Sequence, residues 1–271
     1  MPGEPDQLYI EARRALLDAL DALKPHLDSL IVVGAQAIYL HAGEADVAVA
    51  PYTKDGDVAI DPRNLGRDPA LDEAMLDAGF TPGVQPGIWN RTGTLAQVDL
   101  LVPDSLGGPG RHRGARLEGH GRRAVRRVSG MEAALVDNAV MSIGALEASD
   151  HRRVEVRVAG PGALLVTKLH KLGDRLAQPS RLNDKDAHDV YRLLVAVPTA
   201  DLAARLDVLA ADPVSSAATA AGIERLRTMF VSPDALGSQM AARAVGPLTD
   251  PETIAAATSA LTEDLLRDVR L

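Results

Sequence analysis

The stretch Thr53-Lys54-Asp55-Gly56-Asp57-Val58-Ala59-Ile60-Asp61 decides how the rest of the chain is read. From Asp57 to Asp61 polar and apolar residues alternate, and Pro62 follows, which is the pattern of a half-buried strand with a stop signal. Side chains two apart on a strand point to the same face, so Asp55 and Asp57 at its start can grip one site. Paired carboxylates suit hard divalent cations, Mg²⁺ above all. The same letters also fit a polar turn around Gly56, and these residues alone leave that alternative open.

Working outward, Leu30-Ile31-Val32-Val33 is a β-branched run that meets Gly34, and Ala35 to Leu40 is helical until Gly43. A strand, tight turn and helix in this order leave backbone N–H groups and a favourable dipole end for phosphates. Residues 44 to 53, with Pro51, form a linker. Before this unit, Leu8, Ala12, Leu16, Leu17, Leu20 and Leu23 predict an amphipathic helix that Pro25 ends. After it come a helix near 69–78 and a strand over Gln97–Val102, stopped by Pro103. Asp99 lies inside that apolar run, where a charge needs a partner, unless the strand is an edge and the side chain faces water. Met131 to Ala148 is apolar at helical spacing, and Arg153 to Val158 alternates as a last strand. Beyond Pro161 the pattern is helical almost to the end, broken near Pro179, Pro198, Pro213, Pro233 and Pro247. Alternating strands and helices predict an α/β domain over 1–159 with a small mixed sheet, then a mainly helical domain over 160–271.

Composition narrows the function. The 271 residues are 46% hydrophobic and 24% charged, which is ordinary globular composition. Aromatics are only 3%, a poor basis for stacking bases. There is no cysteine, so any metal is held by oxygen or imidazole. No basic leader or long apolar span is present, and a cytoplasmic protein without membrane contact is expected. A net charge of -8 argues against indiscriminate nucleic-acid binding, yet seven arginines (Arg111, Arg113, Arg116, Arg122, Arg123, Arg126 and Arg127) stand against Glu118 alone in one short segment. Such asymmetry favours a docking face for an RNA backbone, while a surface loop paired with local acids is the plainer alternative.

On the helix expected over 162–177, Leu165, Leu169, Leu172 and Leu176 form the apolar stripe, flanked by Lys168, Lys171 and Arg175. Long cations commonly border such a stripe as a solvated edge, which is the plainer reading of this flank; a lysine there could also neutralise a triphosphate. Asn183, followed by Asp184 and Asp186, makes a good helix start, which is one reading of Asp186. Asp189 is read as a partner of Arg192, and neither it nor His188 as a metal ligand.

Gly34-Ala35-Gln36-Ala37, Thr53-x-Asp55-x-Asp57, Asp99, and the Lys168 helix leading into Lys185-Asp186-Ala187-His188-Asp189 together resemble the AbiEii/AbiGii toxin family of DNA polymerase beta-like nucleotidyltransferases. The likeness spans residues 30–195. It implies a nucleotidyltransferase fold in which Asp55, Asp57 and Asp99 bind two Mg²⁺ (Mn²⁺ also possible). Gly34, Ala35, Gln36, Thr53 and Lys168 would contact an NTP, and Asp186 would orient Lys168 or a ribose. It further implies NMP transfer to a tRNA 3′ end by a toxin with a cognate antitoxin. Two departures stand out: Ala35 replaces the usual second glycine or serine of the turn, and Pro51 stands where a basic residue is common. Transfer to a small hydroxyl compound such as an antibiotic, or a degenerate nucleotide-binding module, are the alternatives.

Overall fold

A computed structural model of the protein describes residues 7–42, 53–110, 112–176, 178, 180, 182–245 and 249–270. Gly43, Pro51, Arg111, Pro179, Pro247 and nearly all of the expected 44–53 linker lie outside them. The described residues fall into two compact units, one drawn from 1–37, 50–131 and 138–159, the other from 38–49, 132–137 and 160–271.

The first unit is built on one mixed eight-stranded sheet. Helix α1, Gln7–Ala22, buries Ala12, Leu16 and Leu20 at four-residue spacing, the stripe that packs it on the sheet. Pro25 cannot continue an α-helix, and the chain tightens into a 3-10 turn over Lys24–Ser29. Strand β1, Leu30–Val33, is buried at all four positions, as a strand covered on both faces must be. Helix α2, Gly34–Ala42, follows without a loop. Then come β2 (Asp55–Ile60), α3 (Leu71–Asp77), β3 (Phe80–Pro82), β4 (Ile88–Arg91), β5 (Gln97–Pro103), β6 (Arg126–Val128), β7 (Asn138–Gly144) and β8 (Arg153–Ala159). The strand order is β3-β4-β5-β2-β1-β8-β7, with β6 pairing β5. At its centre β2 runs antiparallel to β1 and parallel to β5, which sets Asp57 beside both Val33 and Asp99.

The second unit holds α4 (Pro161–Arg175), α5 (Asp184–Ala196), α6 (Thr199–Ala211), α7 (Ser216–Phe230), α8 (Leu236–Ala244) and α9 (Pro251–Asp268). Pro198, Pro213 and Pro233 fall between helices, where a missing N–H costs nothing. The chain is thus mixed α/β with helices at its C-terminal end, and its sheet is larger than the small one expected. Among the described residues no helix is long and apolar enough to cross a membrane.

Two expectations are corrected. Met131–Leu135 is a 3-10 turn and Asn138–Gly144 is strand β7, antiparallel to β8, where the apolar spacing suggested one helix. Val140 and Ile143 sit three apart, which mimics a helical face, but both are β-branched and find their pairing partners in Arg157 and Val154. Leu165, Leu169 and Leu172 are buried, but Leu176 lies just past the end of α4 and is 42% exposed.

Candidate functional site

Asp55 opens β2 and Gly56 is a buried strand residue without a positive φ, so the polar-turn reading of this stretch is set aside. Gly56 is small for a packing reason: a Cβ there would come within 3.1 Å of Leu16 on α1 and 3.5 Å of the Gln36 amide. The two flanking carboxylates therefore share the opposite face. Register extends that face across the sheet, pairing Asp57 with Asp99 and Asp55 with Gln97. On the other side of Asp57, Gly34 adopts φ +70° at the turn from β1 into α2, and a methyl group on it would overlap the Asp57 carboxylate. Glycine is required there twice over, by its backbone conformation and by the approach of the acid.

Asp99 has the partner its apolar strand demands. Arg126 on β6 donates from Nη2 to Asp99 Oδ2 at 2.5 Å, both side chains being largely shielded. Among the described residues no group of three or more His, Asp or Glu side chains is gathered as a metal ion would need. The acids share a face, with Asp99 turned to the guanidinium.

Three further residues singled out by sequence lie beside the pair. Ala35 is buried in the first turn of α2. Thr53 is buried and brackets Asp55, its hydroxyl accepting from the Asp55 N–H at 3.3 Å. Gln36 is 1% exposed and its amide is committed within the protein, accepting from Arg13 Nε at 2.7 Å and donating to the Asp55 carbonyl at 3.1 Å. Both ends of the amide are thus engaged within the protein, one on Arg13 and the other on the Asp55 backbone.

The second unit carries a separate charged cluster. The cationic flank of α4 converges on one carboxylate of α5: Lys168 Nζ and Lys171 Nζ approach Asp186 Oδ1 at 3.1 and 2.9 Å, and Arg175 Nη1 approaches Oδ2 at 2.8 Å. Lys168 also donates to Asp189 Oδ2 at 2.7 Å. Burial alone would lower the Lys168 pKa, but Asp189 and Asp186 outweigh it and hold the ammonium well above its usual range. For Asp186, burial pushes upward and the three cations, Lys168 foremost, bring the carboxyl far below its usual range. Asn183 caps α5 as expected, accepting from the Lys185 N–H at 3.0 Å. Asp189, read from sequence as a partner of Arg192, holds Lys168. Its spacing of three from Asp186, which puts both on one helical face, was the available signal.

The arginine segment is only partly free for a ligand. Arg126 holds Asp99; Arg127 holds Asp104 at 2.9 Å and the Gly108 carbonyl at 3.0 Å; Arg123 donates to the Gly83 and Val84 carbonyls; Arg113 donates to Gln85. Arg116 and Arg122 are exposed. No protein-family model matches the chain, and no curated protein matches it.

Proposed function

We propose that this protein is a Mg²⁺-dependent nucleotidyltransferase that moves NMP from an NTP to an acceptor hydroxyl, with the 3′ end of a tRNA as acceptor. The observation that supports it most is the surround of Asp57: a left-handed glycine at a strand-to-helix turn against its carboxylate, Asp55 on the same strand face, and Asp99 in register beside it. Few purely structural demands would put three acids and a left-handed glycine turn on one sheet face.

A hard dication fits this donor set, which is all carboxylate oxygen. Asp55 and Asp57 would hold it, with Asp99 joining on giving up Arg126. When bound, the ion supplies charge stabilisation for the departing pyrophosphate. The backbone N–H groups of Gly34 and Ala35 would orient phosphate oxygens. The acceptor oxygen would form its bond to the α-phosphorus as the bond to pyrophosphate breaks, its proton passing to a carboxylate of the trio, for which Asp99 is proposed. Lys168 is proposed for the triphosphate. An ammonium has three N–H donors, two of which go to Asp186 and Asp189, so Asp186 would orient it. Arg113, Arg116, Arg122 and Arg123 would meet the RNA backbone. The resemblance further suggests a toxin restrained by a cognate antitoxin.

The test incubates the chain with Mg²⁺, total tRNA and each labelled NTP in turn. Labelled tRNA with wild type and none with Asp57→Asn is expected. Label on a small hydroxyl compound instead would keep the chemistry and replace the acceptor, and no transfer to any acceptor would leave a degenerate module.

A further inference from the structure

Arg13 is 3% exposed on α1, among leucines and alanines that face the sheet. A buried guanidinium is costly unless an anion offsets it, and its hydrogen-bond partners are neutral. It donates from Nε to Gln36 Oε1 at 2.7 Å, from Nη1 to the Gly144 carbonyl at 2.9 Å and from Nη2 to the Tyr9 hydroxyl at 2.9 Å. Burial holds its pKa below the ordinary arginine range. Its three hydrogen bonds tie α1 to the first turn of α2 and to the end of β7.

What the arrangement accomplishes is visible one bond further on. With Oε1 fixed by the cation, Gln36 can present only Nε2 to β2, and it donates to the carbonyl of Asp55 at 3.1 Å. The chain of contacts joins α1, the first turn of α2 and the end of β7 to the backbone of Asp55. We infer that Arg13 and Gln36 are positioning residues that set the height and tilt of the Asp55–Gly56–Asp57 segment, and with it the spacing of the two carboxylates. The inference rests on the nucleotidyl-transfer reading and adds a supporting shell that acts through the Asp55 backbone, without touching substrate or ion. Outer partners of this kind are worth about 10- to 100-fold in metal affinity or activity when removed.

Gln36→Glu separates positioning from stability. A glutamate still accepts from Arg13, and supplies the buried cation with a counter-charge, but it cannot donate to the Asp55 carbonyl. Thermal unfolding by circular dichroism is therefore expected at a temperature equal to or above that of wild type. Mn²⁺ affinity, read by electron paramagnetic resonance titration, is expected to fall tenfold or more, and kcat with it, while KM for NTP changes little. Gln36→Met, which lacks both halves, is expected to lose Mn²⁺ affinity and stability together. Wild-type Mn²⁺ affinity and kcat in Gln36→Glu would overturn the proposal and leave the nucleotidyl-transfer reading intact, as would failure of Gln36→Glu to fold, since the pair would then serve the fold. Absence of both Mn²⁺ binding and transfer in wild type would overturn the two together.

Discussion

A single backbone angle at Gly34 carries much of the proposed chemistry. Any L side chain is strained at φ +70°, and a Cβ would also displace the Asp57 carboxylate. Gly34→Ala should therefore lower stability by about 1–2 kcal/mol in urea unfolding. Transfer activity should fall by about two orders of magnitude, as displacements of about 1 Å do at such sites. Loss of stability with unchanged activity would mean that Asp57 is structural. Lys168 tests the other cluster. Lys168→Met leaves Asp189 and Asp186 buried with less compensation, and should cost about 3–5 kcal/mol, the range for breaking a buried ion pair from one side. Adding Asp189→Asn to that variant should restore part of the loss in the same unfolding measurement, because the stranded charge is removed.

The central strands were legible in sequence because their signals are local: Leu30–Val33, the alternation after Asp57 and the apolar run around Asp99 each carry a period or a stop. β3, β4 and β6 were not, being three or four residues long and defined by what they pair with rather than by pattern. Asn138–Gly144 was misread because its apolar positions satisfy both the helical and the strand period, and only the pairing with β8 decides between them. The acids of the candidate site were visible as letters, while their supports were not. Arg13 in a helix reads as a solvated cation until the sheet is in place, and Arg126 reads as one of seven similar arginines until Asp99 faces it. That same segment yields a prediction at the scale of the element. Arg122→Ala and Arg116→Ala, both exposed, should leave stability unchanged and weaken tRNA binding, reducing the slope of log K against log salt by roughly 0.7–0.9 for each phosphate contact removed. Arg127→Ala should instead lower stability, since Arg127 ties Asp104 and Gly108 together. Equal salt slopes in wild type and both exposed variants would remove this face from the RNA proposal.

At the scale of the whole molecule, acid should act on the helical unit through His188. His188 on α5 is buried, and burial, with Arg192 beside it, brings its pKa down to about 4, against the opposing pull of Asp189 and the Ala241 backbone. Between pH 6.5 and 4 the unfolded chain takes up a proton there that the folded chain refuses, so stability falls as pH falls, by up to about 3 kcal/mol. Urea unfolding across that window should show the loss in wild type and a correspondingly smaller one in His188→Gln. A slope identical in the two would place the acid sensitivity elsewhere. Asp186, held low by its cations, contributes stability that is lost only below the usual carboxylate range, as pH falls through its folded pKa.

The sheet face that joins Asp55, Asp57 and Asp99 is tested most directly by transfer itself. Wild type and Asp57→Asn, matched for folding by circular dichroism, are incubated with Mg²⁺, total tRNA and each α-labelled NTP. Label at the tRNA 3′ end with wild type, abolished in Asp57→Asn and in the presence of excess chelator, is the predicted result. Equal labelling by the two proteins, or none by either with any NTP, would contradict it.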